Sequence, residues 1–123
     1  MERVFFFLAA LFGFLGVALG AFGTHALKNV LSPDLLNVFE IGVRYQMYHS
    51  FALFATAWAV SRFQSILAIL AGWLFVIGIV IFSGSLYLLA LSGVKLWGAM
   101  TPIGGGDLLI AWLLLALGVR KTK

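Results

Sequence analysis

FQSILAILAGWLFVIGIVIFSGSLYLLALSGV, residues 63–94, decides the fold. These 32 residues contain no Asp, Glu, Lys, Arg or His. A membrane-spanning helix needs about 20 predominantly apolar residues, because lipid satisfies no backbone N–H or C=O and the segment must pair its own. A run of this length bounded by Arg62 and Lys95 therefore reads as one transmembrane helix, placed at 66–91.

The same punctuation by charge recurs on both sides. From Val4 to Leu27 the only titratable residue is His25. Tyr45 to Ser61 carries no Asp, Glu, Lys or Arg, and Leu96 to Val119 carries only Asp107. Three further spans follow, at about 4–23, 44–62 and 102–119. The predicted fold is an all-α integral membrane protein: one domain over 1–123, with four transmembrane helices in an up-down bundle. Composition agrees. The chain is 63% hydrophobic and 10% charged, where a soluble domain carries roughly 25% charged residues and would otherwise lack polar groups to cover its surface. Cysteine is absent, which excludes disulfides, thiolate metal sites and Cys nucleophiles.

Local signals refine the connections. Ser32-Pro33-Asp34 is a helix start, with Ser as N-cap, Pro at the first helical position and an acid at the positive end of the dipole. Beyond it Leu35, Phe39 and Val43 share one helical face, and Asp34, Asn37, Glu40 and Arg44 another. This predicts a short amphipathic helical segment over about 33–43, lying at the interface or running into span two at Gly42. Ser61 to Ser65 is so short that spans two and three form a hairpin. Thr101-Pro102 reads as the start of span four. Glu2-Arg3 and Ala18-Leu19-Gly20 have the outline of a signal peptide, but Gly13, Gly16 and Gly20 suit close packing of a retained helix, as does Gly84 in span three.

Four spans place both termini and the 61–65 turn on one side. That side holds Arg3, Arg62, Arg120, Lys121 and Lys123, against Lys28, Arg44 and Lys95 on the other, and the positive-inside rule puts both termini in the cytoplasm. The net charge of +4 is thus a topology signal, and no nucleic-acid partner is expected.

Four motifs in order, Gly20-Ala21-Phe22-Gly23-Thr24-His25-Ala26-Leu27, Tyr45-Gln46-Met47-Tyr48-His49, Phe82-Ser83-Gly84-Ser85-Leu86-Tyr87 and Thr101-Pro102-Ile103-Gly104-Gly105, resemble the DUF 423 family across nearly the whole chain. These are small bacterial inner-membrane proteins with small mitochondrial transmembrane relatives in animals. The resemblance implies four helices and a multi-pass location in the bacterial plasma (inner) membrane. It implies no mechanism. Asp107 departs from the pattern, in which an apolar residue follows the glycine run.

Sorted by depth, nearly every polar group of the predicted spans falls in the outer half: His25, Glu40, Arg44, Gln46, Tyr48, His49, Ser83, Ser85 and Asp107. A pore or proton wire needs polar groups through its full depth, so this layer suits a site or a polar knot rather than a monomeric channel. Glu40 and Arg44, spaced i, i+4, suit an ion pair, and Arg44 could instead turn inward to Asp107. His25 and His49 fall short of a metal ligand set and read as structural hydrogen bonders, so no metal and no cofactor is expected. Asp107 reads as dipole-stabilised near the start of span four. No catalytic constellation is present.

The expectation is a non-enzymatic accessory subunit, assembly or scaffold protein, in contact with membrane lipids and with a homo-oligomer or a larger membrane complex. The alternatives are a small transport or ion-linked protein, or a lipid or quinone binder with His49 and Tyr48 at the head group.

Overall fold

The computed structural model describes residues 1–120. Lys121 and Lys123, which contribute to the charge asymmetry, lie outside the described residues. Four helices follow in order: α1 (Glu2–Phe22), α2 (Pro33–Phe63), α3 (Ile66–Ser92) and α4 (Trp97–Gly118). A π-helical turn, Gly23–Leu27, extends α1. Glu2–Leu27, α3 and α4 are each long and apolar enough to cross a membrane. α2 is the longest helix, but Tyr45, Gln46, Tyr48, His49 and Ser50 interrupt its apolar character.

α2 starts where its sequence says it should. Ser32 is the N-cap, its hydroxyl accepting from Leu35 N–H at 3.3 Å, with Pro33 and Asp34 in the first turn. The helix then runs unbroken to Phe63. Residues 33–43 and the stretch expected as span two are therefore parts of one continuous helix. Gly42 is bare because the Tyr87 ring lies over it, at 2.7 Å from where a Cβ would stand.

Span four needs a correction. Thr101-Pro102 does not open it; α4 begins at Trp97, and Pro102 sits inside the helix. Trp97, Gly98 and Ala99 enter through i→i−3 bonds to Val94, Lys95 and Leu96. An internal proline forfeits one backbone bond and crowds the carbonyl four residues back. Here that residue is Gly98, and the Pro102 ring lies on an exposed face. Two tight turns complete the chain. Gln64, at φ 50°, closes α2 into α3 with its N–H on Val60 O, and Gly93, at φ 70°, ends α3 with its N–H on Leu89 O at 2.8 Å. Glycine is the residue that adopts this left-handed conformation without a Cβ penalty.

Contacts along neighbouring helices run in opposite directions. Ala9, Phe12, Gly20 and Gly23 of the first segment meet Ser50, Gln46, Val43 and Phe39 of α2. Gly78, Gly104 and Gly118 mark the α3–α4 seam: a Cβ on Gly78 would meet Leu108, one on Gly104 the Phe82 backbone, and one on Gly118 the Ala68 backbone. Between helices in lipid there is no hydrophobic gain, so close backbone approach and dispersion carry the association. The larger buried cluster fits that rule. Phe5, Leu53, Phe75 and Ile79 interleave with Ala9, Ala52, Ala57, Ala59, Ala68, Ala71 and Ala111, and Phe5 fills the space Gly72 leaves. A second cluster, Leu27, Phe39 and Ala90, ties the π turn to α2 and α3.

Candidate functional site

The half of the molecule nearer the α1–α2 and α3–α4 connections holds most of the polar side chains, and each buried one is spent on another helix or on its own backbone. Gln46 is the hub. Its Nε2 donates to Phe12 O of α1 at 2.8 Å, and its Oε1 accepts from the Tyr87 hydroxyl of α3 at 2.7 Å. Ser50 donates to Ala9 O at 2.6 Å, and Ser83 donates to Gly42 O at 2.7 Å. Ser85 has one hydroxyl proton, directed at Phe82 O at 2.9 Å, so Thr101 of α4 supplies the proton of the 2.7 Å bond between the two hydroxyls. Three of these are side chain to backbone carbonyl across a helix interface, which fixes depth and rotation of one helix against the next.

His49 joins α2 to α4. Its Nδ1 lies 2.7 Å from Tyr45 O, and the Trp112 indole N–H lies 3.0 Å from its Nε2. A carbonyl can only accept and an indole N–H can only donate. The arrangement therefore fixes the neutral imidazole with its proton on Nδ1; a second proton on Nε2 would face the indole donor. Phe75 of α3 packs beneath both rings, 5.7 Å from His49 and 5.1 Å from Trp112 between centroids.

Beside this pair lies a cavity of about 520 Å³, lined by Tyr45, His49, Phe82, Pro102, Gly105, Gly106, Leu108, Leu109 and Trp112. The Tyr45 and Phe82 rings stand 4.9 Å apart at its edge. No lining residue is charged.

The residues anticipated as one polar cluster divide. Gln46, His49, Ser83 and Ser85 are buried and bonded as above. His25, Glu40, Arg44 and Tyr48 are exposed. Glu40 and Arg44 share a shallow cleft of about 260 Å³ with Gly20, Thr24, Phe39 and Val43, at the open end of the α1–α2 interface. Asp107 is half-buried and does not line the 520 Å³ cavity. It also sits ten residues into α4, beyond the first turn where the helix dipole would hold it. Of the packing glycines, Gly13, Gly16 and Gly20 do face α2, against Ser50, Met47 and Val43. Gly84 does not pack on any helix of its own chain: a Cβ there would meet nothing within 4 Å. Trp112 was the residue the sequence concealed. Its one signal is a tryptophan in mid-span, where the N–H must find an acceptor inside the protein.

A family model described as a protein of unknown function (DUF423) matches residues 19–105. The chain is 46% identical over 119 residues to a UPF0382 membrane protein of Staphylococcus saprophyticus, covering 97% of this chain and 98% of that one. It is 40% identical over 120 residues to the UPF0382 membrane protein YwdK of Bacillus subtilis strain 168, at 97% and 98% coverage. With the UPF0382 inner membrane protein YgdD of Escherichia coli K12 the identity is 39% over 122 residues, at 99% and 93% coverage. No solved structure matches the chain.

Proposed function

From the premise that the chain belongs to the DUF423 family of membrane proteins, we propose that it is a non-enzymatic accessory, assembly or scaffold protein of the bacterial plasma membrane. One observation carries this reading. Among the described residues no buried side-chain nitrogen or oxygen lacks a hydrogen-bond partner. A catalytic or transport site keeps polar groups poised for a substrate, whereas here the buried polar groups are taken up by bonds between helices or to their own backbone.

The proposal includes four spans in up-down order with both termini cytoplasmic. α2 supports a fourth span despite its polar run, because Gln46, His49 and Ser50 are buried and need not face lipid. The charge asymmetry supports the orientation. The membrane-facing surface is rich in large apolar side chains, among them Phe7, Phe14, Phe51, Leu109 and Leu113, which suits lipid and the helices of a partner.

Native mass spectrometry of the protein extracted with its own lipids tests the reading. A foreign polypeptide in fixed stoichiometry is the expected result. A bare chain, or a homo-oligomer alone, would overturn it.

A further inference from the structure

The cavity beside His49 lies between α2 and α4. α2 and α4 have no extended seam; they meet through the bond from Trp112 to His49, with α3 as the floor between them. The cavity is therefore a lateral cleft in the membrane-embedded part of the molecule. Its α4 wall carries Gly105 and Gly106. At Gly104, next along, a Cβ would strike the Phe82 backbone, so that glycine is required for helix contact. A Cβ at Gly106 would meet nothing within 4 Å, and one at Gly105 only the Phe82 ring at an ordinary 3.7 Å. Helix packing thus does not call for glycine at these two positions, and each costs roughly 1 kcal/mol of helix propensity against alanine. What they provide is a bare stretch of the α4 wall, with Trp112 about two turns further along the same helix and Tyr45 and Phe82 supplied by α2 and α3.

The lining selects a ligand class. No charged group lines the cleft, which disfavours an ionic, water-soluble molecule. Tyr45, Phe82 and Trp112 offer ring faces and edges, with the imidazole between them, and flat aromatic contacts favour a planar ring over a flexible chain. Hydrogen-bond donors narrow it further. The indole N–H is given to His49 and the Nδ1–H to Tyr45 O. The Tyr45 hydroxyl makes no hydrogen bond among the described residues, and Tyr45 is 39% exposed, at the mouth of the cleft. Tyr45 thus brings to the lining the one side-chain donor not already given to a protein acceptor, which suits a ligand that is apolar but for an acceptor. A volume of about 520 Å³ is within the usual range of small-molecule sites, about 300–1,000 Å³.

We propose that the α2–α4 cleft binds the ring of a membrane-soluble quinone, entering from the bilayer, with the ring between Phe82, Trp112 and the Gly105-Gly106 wall and a quinone carbonyl accepting from the Tyr45 hydroxyl. Binding is the whole of the proposal; no electron transfer is attached to it. It goes beyond the scaffold reading and does not depend on a partner polypeptide.

Trp112 is a built-in reporter. In a variant with Trp58→Phe, Trp73→Phe and Trp97→Phe, the fluorescence of Trp112 is followed in phosphatidylcholine vesicles as menaquinone-4 is added. A second titration replaces the host lipid with phosphatidylcholine brominated on its acyl chains. The expected result is saturable quenching at one quinone per chain, and a smaller fractional quenching by bromolipid when the quinone site is full than when it is empty. Gly106 lines the cleft and a Cβ there meets nothing within 4 Å, so Gly106→Leu adds bulk to the lining without a backbone clash. It should retain full helicity and weaken quinone binding about tenfold or more, while Tyr45→Phe weakens it about three- to tenfold through one lost hydrogen bond. Non-saturable quenching, or equal quenching in Gly106→Leu with helicity intact, overturns the site. Fractional bromolipid quenching that is the same with the site full as with it empty overturns the choice of ring over acyl chain.

Discussion

Alanine at Gly104 and alanine at Gly106 are the same chemical change two residues apart on α4, and the structure separates them. The Gly104 Cβ would stand 2.8 Å from Phe82 Cα and closer still to its amide nitrogen. Carbon atoms in contact sit about 3.5–4.0 Å apart, so α3 and α4 would have to part by roughly 1 Å. No side-chain rotation relieves a clash with backbone. Overpacking of this kind costs about 1–3 kcal/mol. The Ser85–Thr101 bond on the same seam would stretch as well, at about 0.6 kcal/mol for a typical interhelical bond in a membrane. At Gly106 the same methyl meets nothing within 4 Å, leaving only the gain in helix propensity, up to about 1 kcal/mol. That gain is common to both variants and cancels, so Gly104→Ala should be about 2 kcal/mol or more less stable than Gly106→Ala. Gly78→Ala should fall between, because its two closest contacts belong to the Leu108 side chain, which can shift, and the one backbone atom it meets, Gly104 O, stands at 3.3 Å. Reversible unfolding in bicelles, followed by far-ultraviolet circular dichroism against added dodecyl sulfate, ranks the three. Gly104→Ala and Gly106→Ala of equal stability would refute the claim that the α3–α4 seam is set by backbone contact at Gly104.

The hydrogen-bond hub gives a second prediction. Gln46→Leu removes the bond to Phe12 O and strands the Tyr87 hydroxyl, which should cost about 1–3 kcal/mol; adding Tyr87→Phe should recover part of that loss in the same unfolding assay, and an additive double variant would show that the two groups do not interact. Arg44→Ala tests the opposite kind of residue. Arg44 is exposed beside Glu40, so the change should move stability by no more than about 0.5 kcal/mol, and a loss of 2 kcal/mol or more in that titration would show that Arg44 does hold the fold.

Helices were legible in the sequence because charge is expensive in lipid. The uncharged run 63–94 and its neighbours mark the helical stretches without any knowledge of contacts, and Ser32-Pro33-Asp34 marks a helix start that is made locally. Thr101-Pro102 shows where local reading fails. The same pair of residue types that begins α2 sits one turn inside α4, because apolar Trp97 to Met100 have reason to be helical and Pro102 demands only that one bond, to Gly98, be given up. Gly84 fails for a related reason. A bare position permits close approach, but whether a helix approaches is decided by the rest of the chain, and here none does.

The candidate site divides along the line between polar and charged. Gln46, His49, Ser83 and Ser85 could be picked out because an uncharged polar group in an apolar span must find a partner, and they do. Arg44, Glu40 and His25 are exposed instead. A charge is cheaper where a long side chain can reach water than in the buried interior, and exposure is what the structure gives them. Tyr87 and Trp112 were harder to foresee, since the value of each depends on a partner from another helix. For Trp112 that partner is on α2, which is not its neighbour in the chain. Hydropathy therefore reads the polar run of α2 as a defect in a spanning helix. The bonds from Gln46, Ser50 and His49 to α1, α3 and α4 show the converse: with dispersion between helices nearly as good as dispersion with lipid, the polar run supplies much of what makes these helices choose one register over its neighbours.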